Sequence, residues 1–388
     1  MTTTFGALGL PSDLVAALAE AGIDEPFPIQ ALTIPDALAG RDLCGKAKTG
    51  SGKTLAFGLP LLTRLSKAKS KRPTGLVLVP TRELAVQVAE VLAPLGERSG
   101  VRVTAVYGGR AVERDVKALE QGIDLLIATP GRLIDLGDRD AVAFDGVEAL
   151  VLDEADRMAD MGFMPQVEWI LRRVVNPHQT LLFSATLDRD VDHLVRAYLK
   201  DPVRYEVEST SATVDEMEHR FIAVHQLDKA KVTASIARGG TRTLIFVRTK
   251  RGADRLAEQL QKEGLRAGAI HGDLRQGLRE RALADFSSGK LPALVATDVA
   301  ARGIHVDGVD TVVHFDPPED QKAYLHRSGR TARAGESGLV VTLVLWDQHL
   351  KAERLQKRLG ISQPIVEMFS NDSRLANLSS WDPLVAVG

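Results

Sequence analysis

The chain is predicted to be an α/β protein built from two successive domains. Its 388 residues are more than one hydrophobic core usually holds. Short runs rich in Val, Leu and Ile end at polar or glycine residues and alternate with helix-like stretches, and this series occurs twice. Such alternation predicts, in each domain, a parallel sheet covered by helices on both faces.

The boundaries of the two domains follow from where the series are interrupted. Predicted strands of the first series lie at 76–79, 125–128, 150–152 and 181–183, with helix-like stretches at 82–95 and 110–119. Those of the second lie at 244–247, 294–296, 312–315 and 339–344. Residues 206–218 are polar, small and acidic, as in a linker. We therefore expect domains at 1–207 and 219–369, a linker at 208–218 and a short tail at 370–388.

Composition narrows the class of protein. Hydrophobic residues make up 44% of the chain, yet it has no apolar run of about 18 residues and no basic segment followed by an apolar one at its start. Cys44 is the single cysteine, which excludes an intramolecular disulfide. We expect a cytoplasmic protein without a membrane partner. The net charge of −2 requires any nucleic-acid surface to be local.

An acidic tetrad, residues 153–156 (DEAD), follows the apolar run that ends at Leu152. Three carboxylates crowded at the end of a strand repel one another unless a cation or ligand shares the site. A charge run alone is more often solvated surface. The tetrad predicts a metal-nucleotide centre only if a phosphate loop accompanies it.

Residues 47–54 (AKTGSGKT) supply that loop, because they fit the Walker A pattern with Ala47 in place of the first glycine. Gly50 and Gly52 allow the backbone amides to turn toward phosphate oxygens. Lys53 is expected to reach the outer phosphates and Thr54 to hold Mg²⁺ at a helix N-terminus. An ordinary glycine-rich turn is the alternative, which the apolar helix-like stretch at 55–62 disfavours.

Further polar motifs follow the predicted strands of the first domain, where open α/β sheets bind ligands. They are PTRELA at 80–85, the Gly108-Gly109 pair, TPGR at 129–132 and SAT at 184–186. With these motifs in this order, the chain resembles a DEAD-box RNA helicase of superfamily 2, of the bacterial type with a short tail. The resemblance covers residues 5 to about 369 and implies two tandem RecA-like (P-loop) domains.

The resemblance implies how ATP is selected and held. Residues 22–30 are similar to the Q motif, in which Gln30 reads adenine and Phe5, 17 positions before Gly22, stacks on the base. The paired donor and acceptor of an amide suit the edge of adenine. Further expected ATP contacts are Thr49, Gly50, Ser51, Gly52, Lys53, Thr54 and, near the ribose, Asp298 of a sequence similar to motif V.

Catalytic roles are implied in the same way. Asp153 and Thr54 are the expected Mg²⁺ ligands, and Glu154 orients or deprotonates the attacking water. Asp156 is expected to couple hydrolysis to RNA through Ser184 and Thr186. Residues 326–333 resemble motif VI, in which Arg330 and Arg333 act on the γ-phosphate as arginine fingers.

RNA is the implied partner, held by its backbone and therefore with little sequence preference. The expected contacts are Arg82, Gly109, Thr129 and Arg132 in the first domain and Thr249, Gly272, Arg279 and Thr297 in the second.

Three residues depart from the family pattern. Lys48 stands where Gln is usual, Ala332 where Gly is usual, and His305 where Asp is usual. The family aspartate helps to tie motif V to the closed state, so His305 could weaken coupling between RNA and hydrolysis. One alternative to unwinding is therefore an ATP-gated RNA clamp. A second is a DNA-acting ATPase of the same superfamily, which would share the phosphate loop and the arginine fingers.

Overall fold

The computed structural model describes residues 3–47, 50–187, 189–207, 217–301, 308–331 and 338–383. Contacts within the chain divide it into two compact units, Met1–Ser209 and Thr210–Gly388. Within the residues described, each unit contains one seven-stranded sheet. Every strand pair in both sheets is parallel, as the alternation of apolar runs and helices predicts.

The first unit orders its strands β3-β4-β2-β5-β6-β1-β7. In chain order the strands are β1 Leu43–Lys46, β2 Gly75–Leu78, β3 Val103–Val106, β4 Leu125–Ala128, β5 Ala149–Asp153, β6 Gln179–Ser184 and β7 Val203–Glu206. The helices are α1 Ser12–Glu20, α2 Pro28–Leu38, α3 Lys53–Arg64, α4 Arg82–Ser99, α5 Val112–Glu120, α6 Pro130–Asp138, α7 Ala155–Asp160, α8 Met164–Leu171 and α9 Arg189–Tyr198.

Both faces of this first sheet are buried. Val77, Val151 and Leu181 belong to one hydrophobic cluster, whereas their chain neighbours Leu76 and Leu150 belong to another. Successive side chains of a strand point to opposite faces, so each cluster covers one face of the sheet. This two-sided burial explains why the central strands are continuous apolar runs rather than alternating ones.

The second unit orders its strands β10-β11-β9-β12-β13-β8-β14. They are β8 Met217–Ala223, β9 Thr243–Val247, β10 Ala267–Ile270, β11 Ala293–Thr297, β12 Thr311–His314, β13 Gly338–Val344 and β14 Ile365–Glu367. The helices are α10 Lys229–Gly239, α11 Lys250–Lys262, α12 Gln276–Ser287, α13 Asp298–Ala301, α14 Gln321–Ser328 and α15 His349–Leu359.

The two sheets share one topology. When the strands of each unit are counted from its own first strand, both sheets read third, fourth, second, fifth, sixth, first, seventh. The sequence itself contains no tandem short repeat. The shared order shows that the two halves have the same architecture.

Two expected boundaries differ from the structure. Met217 and Glu218, which the sequence places in the linker, begin β8 and pair with Gly338 and Leu339 of β13. The acidic residues around Glu218 gave no sign of β8, although every side chain of that strand except Glu218 is buried.

The expected tail is in part a packed segment of the second unit. Residues Ser373–Asn377 form a short 3-10 helix, and Leu375 and Leu378 are buried in the core beside α10. The Arg220 side chain donates from Nε to the Leu378 carbonyl at 3.1 Å. Two isolated leucines in a polar stretch have no periodicity that would predict this packing.

Candidate nucleotide and RNA sites

Three of the predicted motifs meet at one edge of the first sheet. Strands β5, β6 and β1 are neighbours, and they end at Asp153, Ser184 and Lys46. The register places Lys46 opposite Ser184 and Asp153 opposite Phe183. Because the strands are parallel, the tetrad, the SAT motif and the phosphate loop lie at adjacent carboxyl ends.

The phosphate loop joins β1 to α3. The Ala47 N–H donates to the Ser184 carbonyl at 2.9 Å, which fixes the start of the loop to β6. Gly50 and Gly52 have φ values of +88° and +85°, which a residue with a side chain adopts only with strain. The Lys53 ammonium group donates to the Ala47 carbonyl at 2.8 Å and is buried.

The start of α2 packs directly on this loop. A Cβ atom on Gly52 would lie 2.4 Å from Gln30 Nε2 and 2.6 Å from Phe27 Cδ2. Gln30 Nε2 donates to the Gly52 carbonyl at 2.9 Å, and Gln30 Oε1 accepts from the Phe27 N–H at 2.8 Å. Gln30, the expected adenine reader, therefore links the two segments, and its amide keeps one further N–H and one further lone pair.

The aromatic residue expected to stack on a base is not open in this structure. Phe5 is only 2% exposed and packs in the hydrophobic core with Leu8 and Leu10. Its large apolar ring is stabilised there by burial. Phe27, beside the phosphate loop, is instead 55% exposed.

Asp153 is a buried carboxylate at the end of β5. Its Oδ1 accepts from the Glu154 N–H at 2.9 Å. Burial, the largest effect, raises the pKa of Asp153 to about 7, and the neighbouring Glu154 carboxylate acts in the same direction; the Lys53 and Arg157 cations oppose it. A desolvated carboxylate of this kind is stabilised by a cation.

Glu154 has an unusual backbone conformation. It lies in the left-handed region, with φ +53° and ψ +48°, between β5 and α7. Its Oε2 lies 2.7 Å from Arg157 Nη1, and both side chains are buried. Residues with a side chain are strained in this region, and such strain clusters at functional sites.

Asp156 contacts both hydroxyl residues of the SAT motif, although in different ways. The Thr186 hydroxyl donates to Asp156 Oδ2 at 3.3 Å. Ser184 Oγ instead accepts from the Asp156 backbone N–H at 3.2 Å. The carboxylate thus meets Thr186, while Ser184 fixes the start of α7.

The predicted RNA contacts of the first unit follow the other half of the sheet. Strands β3, β4 and β2 are neighbours, and Gly109, Thr129 and Arg82 follow their carboxyl ends. Gly109 has φ +93°, and a Cβ there would lie 2.3 Å from Arg82 Nη1. Arg82 therefore lies against the Gly108-Gly109 turn, which has room only for glycine at 109.

Arg132 is held inside the protein rather than presented to solvent. Its Nη1 donates to Asp115 Oδ2 at 2.9 Å and its Nη2 to the Arg110 carbonyl at 2.6 Å. Arg110 Nη2 lies 2.6 Å from Asp115 Oδ1. The guanidinium of Arg132 thus joins the loop after β3 to the start of α6.

The second unit repeats this arrangement. Strands β10, β11 and β9 are neighbours, and Gly272, Thr297 and Thr249 lie at or just after their carboxyl ends. Thr249 caps α11, since its Oγ1 accepts from the Gly252 N–H at 3.0 Å. Arg279 is buried on α12.

Two predicted ATP residues of the second unit are also tied to protein groups. Arg327 donates from Nε and Nη2 to the two carboxylate oxygens of Asp298, at 2.6 and 2.7 Å. Arg330 is buried, and its Nε donates to the His326 carbonyl at 3.3 Å. Lys48, Thr49, His305, Ala332 and Arg333 lie outside the described residues.

The sites and folds match those of a known family. A family model described as DEAD/DEAH box helicase matches residues 27–194, and one described as helicase conserved C-terminal domain matches residues 228–335. The DEAD-box ATP-dependent RNA helicase CshA of Bacillus subtilis (strain 168) is 40% identical over 346 residues, which cover 89% of this chain and 70% of that protein. The chain belongs to the DEAD-box helicase family.

Other DEAD-box relatives are longer than this chain. CshA of Bacillus cereus (strain ATCC 10987) is 41% identical over 344 residues, which cover 88% of this chain but 65% of that protein. The chain thus spans less than two thirds of the length of that relative.

Solved DEAD-box structures agree with the fold. Dbp5 of S. cerevisiae bound to RNA and ADP BeF3 is similar with a TM-score of 0.83 and 28% identity, over 97% of this chain and 98% of that one. A DEAD-box protein of Methanococcus jannaschii gives a TM-score of 0.52 and 31% identity, over 94% and 99% of the two chains. The two sheets are tandem RecA-like domains.

Three charged residues of this DEAD-box chain were missed by the sequence reasoning. Arg157 stands three residues after Glu154, a helical spacing that could have signalled the pair. The partnership of Arg327 with Asp298 joins residues 29 apart, and that of Asp115 with Arg132 joins residues 17 apart. Such distant pairs leave no pattern in a single sequence.

No helix in the described part of the chain has the length and apolar character needed to cross a membrane.

Proposed function

We propose that this chain is an ATP-dependent RNA helicase. It binds RNA through the sugar-phosphate backbone, hydrolyses ATP to ADP and phosphate in an RNA-stimulated manner, and locally separates short duplexes or remodels RNA–protein complexes. The observation that carries the proposal is the division of the first sheet, whose β5, β6 and β1 ends bear the nucleotide motifs and whose β3, β4 and β2 ends bear the RNA motifs.

ATP is held by the phosphate loop and the Gln30 segment. The amides of residues 50–54 and the Lys53 ammonium group bind the phosphates, helped by the N-terminus of α3. The spare hydrogen-bonding capacity of Gln30 serves adenine. Thr49, Ser51 and Asp298 are further proposed ATP contacts, and Arg330 and Arg333 are proposed to stabilise charge on the γ-phosphate.

Magnesium fits the residues present, because the Asp153 carboxylate and the Thr54 hydroxyl form the oxygen donor set that it prefers. When bound, Mg²⁺ neutralises phosphate charge. Burial is the main cause of the raised pKa of Asp153, because it disfavours the ionised carboxylate. A nearby cation favours the ionised form, which supports a metal ion at this position.

Hydrolysis and coupling are assigned to the remaining tetrad residues. Glu154 orients the attacking water and accepts its proton. Asp156 transmits the state of the nucleotide through its contacts with Thr186 and Ser184.

RNA is bound by residues beyond the carboxyl ends of the strands in each unit. Arg82 and Thr129 of the first unit and Thr249 and Thr297 of the second are proposed to contact RNA directly, with Gly109 and Gly272 allowing close backbone approach. Arg132 and Arg279 are buried, so their contribution is to position neighbouring loops. A cytoplasmic location belongs to the proposal, since the buried thiol of Cys44 suits a reducing compartment.

One set of assays tests this function. ATP turnover is measured without nucleic acid, with single-stranded RNA and with single-stranded DNA of the same sequence, beside displacement of a short RNA duplex. Stimulation by RNA together with displacement is the expected result. Equal stimulation by DNA would contradict the RNA assignment, and stimulation without displacement would favour an ATP-gated RNA clamp.

As a control, Glu154→Gln should bind ATP and suppress its hydrolysis, because the amide cannot accept the proton of water. Undiminished turnover by this variant would refute the proposed role of Glu154.

A further inference from the structure

The catalytic glutamate is held by a contact that the fold builds into the first turn of α7. Glu154 is the residue before the helix and Arg157 is its third residue. The Arg157 N–H donates to the Glu154 carbonyl at 3.0 Å, so the turn that brings the side chains together is closed by the backbone. Arg157 Nη1 then lies 2.7 Å from Glu154 Oε2.

This pair differs from ordinary ion pairs on helix surfaces. The Arg157 and Glu154 side chains are 8% and 5% exposed, whereas those of Arg172 and Glu168, a pair at the end of α8, are 70% and 25% exposed. Exposed pairs are screened by solvent and contribute little. In a buried pair, loss of one partner has a large effect because it leaves the other charge uncompensated.

The left-handed backbone conformation of Glu154 must be stabilised by surrounding contacts, and its contact with Arg157 is one of them. A residue with a side chain is held in this region only when its surroundings over-determine it. The contact of Arg157 with the side chain and the turn of α7 together fix where the carboxylate points. Hydrolysis needs such fixing, because displacement of a reacting group by about 1 Å can lower a rate about 10²-fold.

We propose that Arg157 is the positioning residue for Glu154, holding one carboxylate oxygen so that the carboxylate keeps the orientation that water activation requires. The inference rests on the proposed ATP hydrolysis and adds a residue to it. The role assigned to Arg157 is indirect and acts through the Glu154 carboxylate. A purely structural role for Arg157 would instead stabilise α7 without a specific effect on turnover.

A double-mutant cycle separates these roles. Turnover numbers and KM for ATP are measured with saturating RNA for the wild-type chain, Arg157→Met, Glu154→Gln and the double variant. If Arg157 acts through Glu154, Arg157→Met lowers kcat on the order of 10²-fold and leaves KM for ATP within about 3-fold. The double variant should then be no slower than Glu154→Gln alone.

Two further variants guard against loss of folding. Arg157→Lys keeps a cation, so its kcat should be about 10-fold higher than that of Arg157→Met. It should remain below the wild-type kcat, because an ammonium group lacks the guanidinium geometry. Arg172→Met removes an arginine from the exposed pair at the end of α8 and should leave kcat unchanged. Thermal unfolding of every variant shows whether a loss of activity reflects loss of fold.

Failure of the proposed role of Arg157 can be told apart from failure of the proposed helicase function. An active wild type in which Arg157→Met keeps kcat within 2-fold, or in which the two substitutions are additive, overturns the inference alone. Equal losses in Arg157→Lys and Arg157→Met, with lowered thermal stability in both, also overturn it, since they indicate a structural role. A wild type without RNA-stimulated turnover overturns the proposed function.

Discussion

The side-chain amide of Gln30 donates a hydrogen bond of 2.9 Å to the backbone carbonyl of Gly52. This bond joins the start of α2 to the last residue of the phosphate loop, 22 positions later in the chain. Gln30 is almost completely buried, so the bond is shielded from water. The residue expected to recognise the base therefore also supports the loop expected to bind the phosphates.

Replacement of Gln30 by Glu should weaken ATP binding. A carboxylate keeps an acceptor for the Phe27 N–H but cannot donate to the Gly52 carbonyl, and it places negative charge against that oxygen. Loss of a buried hydrogen bond costs about 1–3 kcal/mol, so Kd for ATP should rise roughly 10- to 100-fold in a titration with a fluorescent ATP analogue.

Two controls accompany this variant. Gln30→Leu removes both hydrogen bonds at similar volume and should also weaken binding, whereas Gln121→Ala alters an exposed glutamine at the end of α5 and should not. Unchanged ATP affinity in Gln30→Glu would show that the bond does not support the loop.

Replacement of Thr186 by Val should uncouple hydrolysis from strand separation. The substitution removes the hydroxyl that donates to Asp156 Oδ2 at 3.3 Å and keeps the side-chain volume. Since this bond is long, its loss should cost only about 0.5–1.5 kcal/mol and leave RNA-stimulated ATP turnover within roughly 10-fold.

Duplex displacement by Thr186→Val should fall further than turnover. Displacement per ATP hydrolysed is the quantity to measure, with Thr186→Ser as the control that keeps the hydroxyl. Parallel losses of turnover and displacement would contradict a coupling role.

Stability of the second unit should decline in acid because of His314. Its ring is buried against Tyr324, Phe246 and the Thr342 hydroxyl, with the Arg327 guanidinium and His219 nearby. Burial first, and then the charge of Arg327, hold the pKa of His314 well below its usual 6.5.

Below pH 6.5 the unfolded chain therefore binds a proton that the folded chain does not, and the free energy of unfolding falls with pH by up to ~1.4 kcal/mol per unit. His314→Asn should reduce this slope in urea unfolding followed from pH 7.5 to 5.5. His225→Asn changes an exposed histidine of the same unit and serves as the control. An unaltered slope in His314→Asn would assign the acid sensitivity to other groups.

The packed segment after β14 should stabilise the second unit. Leu375 is 1% exposed in the core, so Leu375→Ala should lower the free energy of unfolding by about 2–5 kcal/mol. Urea unfolding followed by circular dichroism measures this loss, and Ser379→Ala, an exposed position of the same segment, is the control. A change below about 1 kcal/mol in Leu375→Ala would mean that the segment is a loosely attached tail.

Much of the candidate nucleotide site could be predicted from sequence. The phosphate loop, the tetrad and the SAT motif are local patterns, and each follows an apolar run that forms a buried parallel strand. Once the sheet is parallel, the carboxyl ends meet at one edge whatever the intervening helices contain. Local order along the chain is thereby enough to bring Lys53, Asp153 and Asp156 to one region.

The strands that sequence reasoning missed are short or mixed in composition. Strand β1 (LCGK) contains Gly and Lys, and β10 (AGAI) is made of small residues. Each pairs with a fully buried strand, β1 with β6 and β10 with β11, and this tertiary context overrides weak local propensity.

Sequence alone determined the fold class, the two-domain order and the identity of the polar residues at the strand ends, because these depend on periodicity and local motifs. The tertiary structure decided what those residues touch. It buried Phe5 in the core, enclosed Arg132 with Asp115, and packed Leu375 beside α10. Such contacts join side chains from distant segments, and a single sequence carries no local signal for them. The left-handed backbone conformation of Glu154 and its contact with Arg157 are also features that only the folded structure shows.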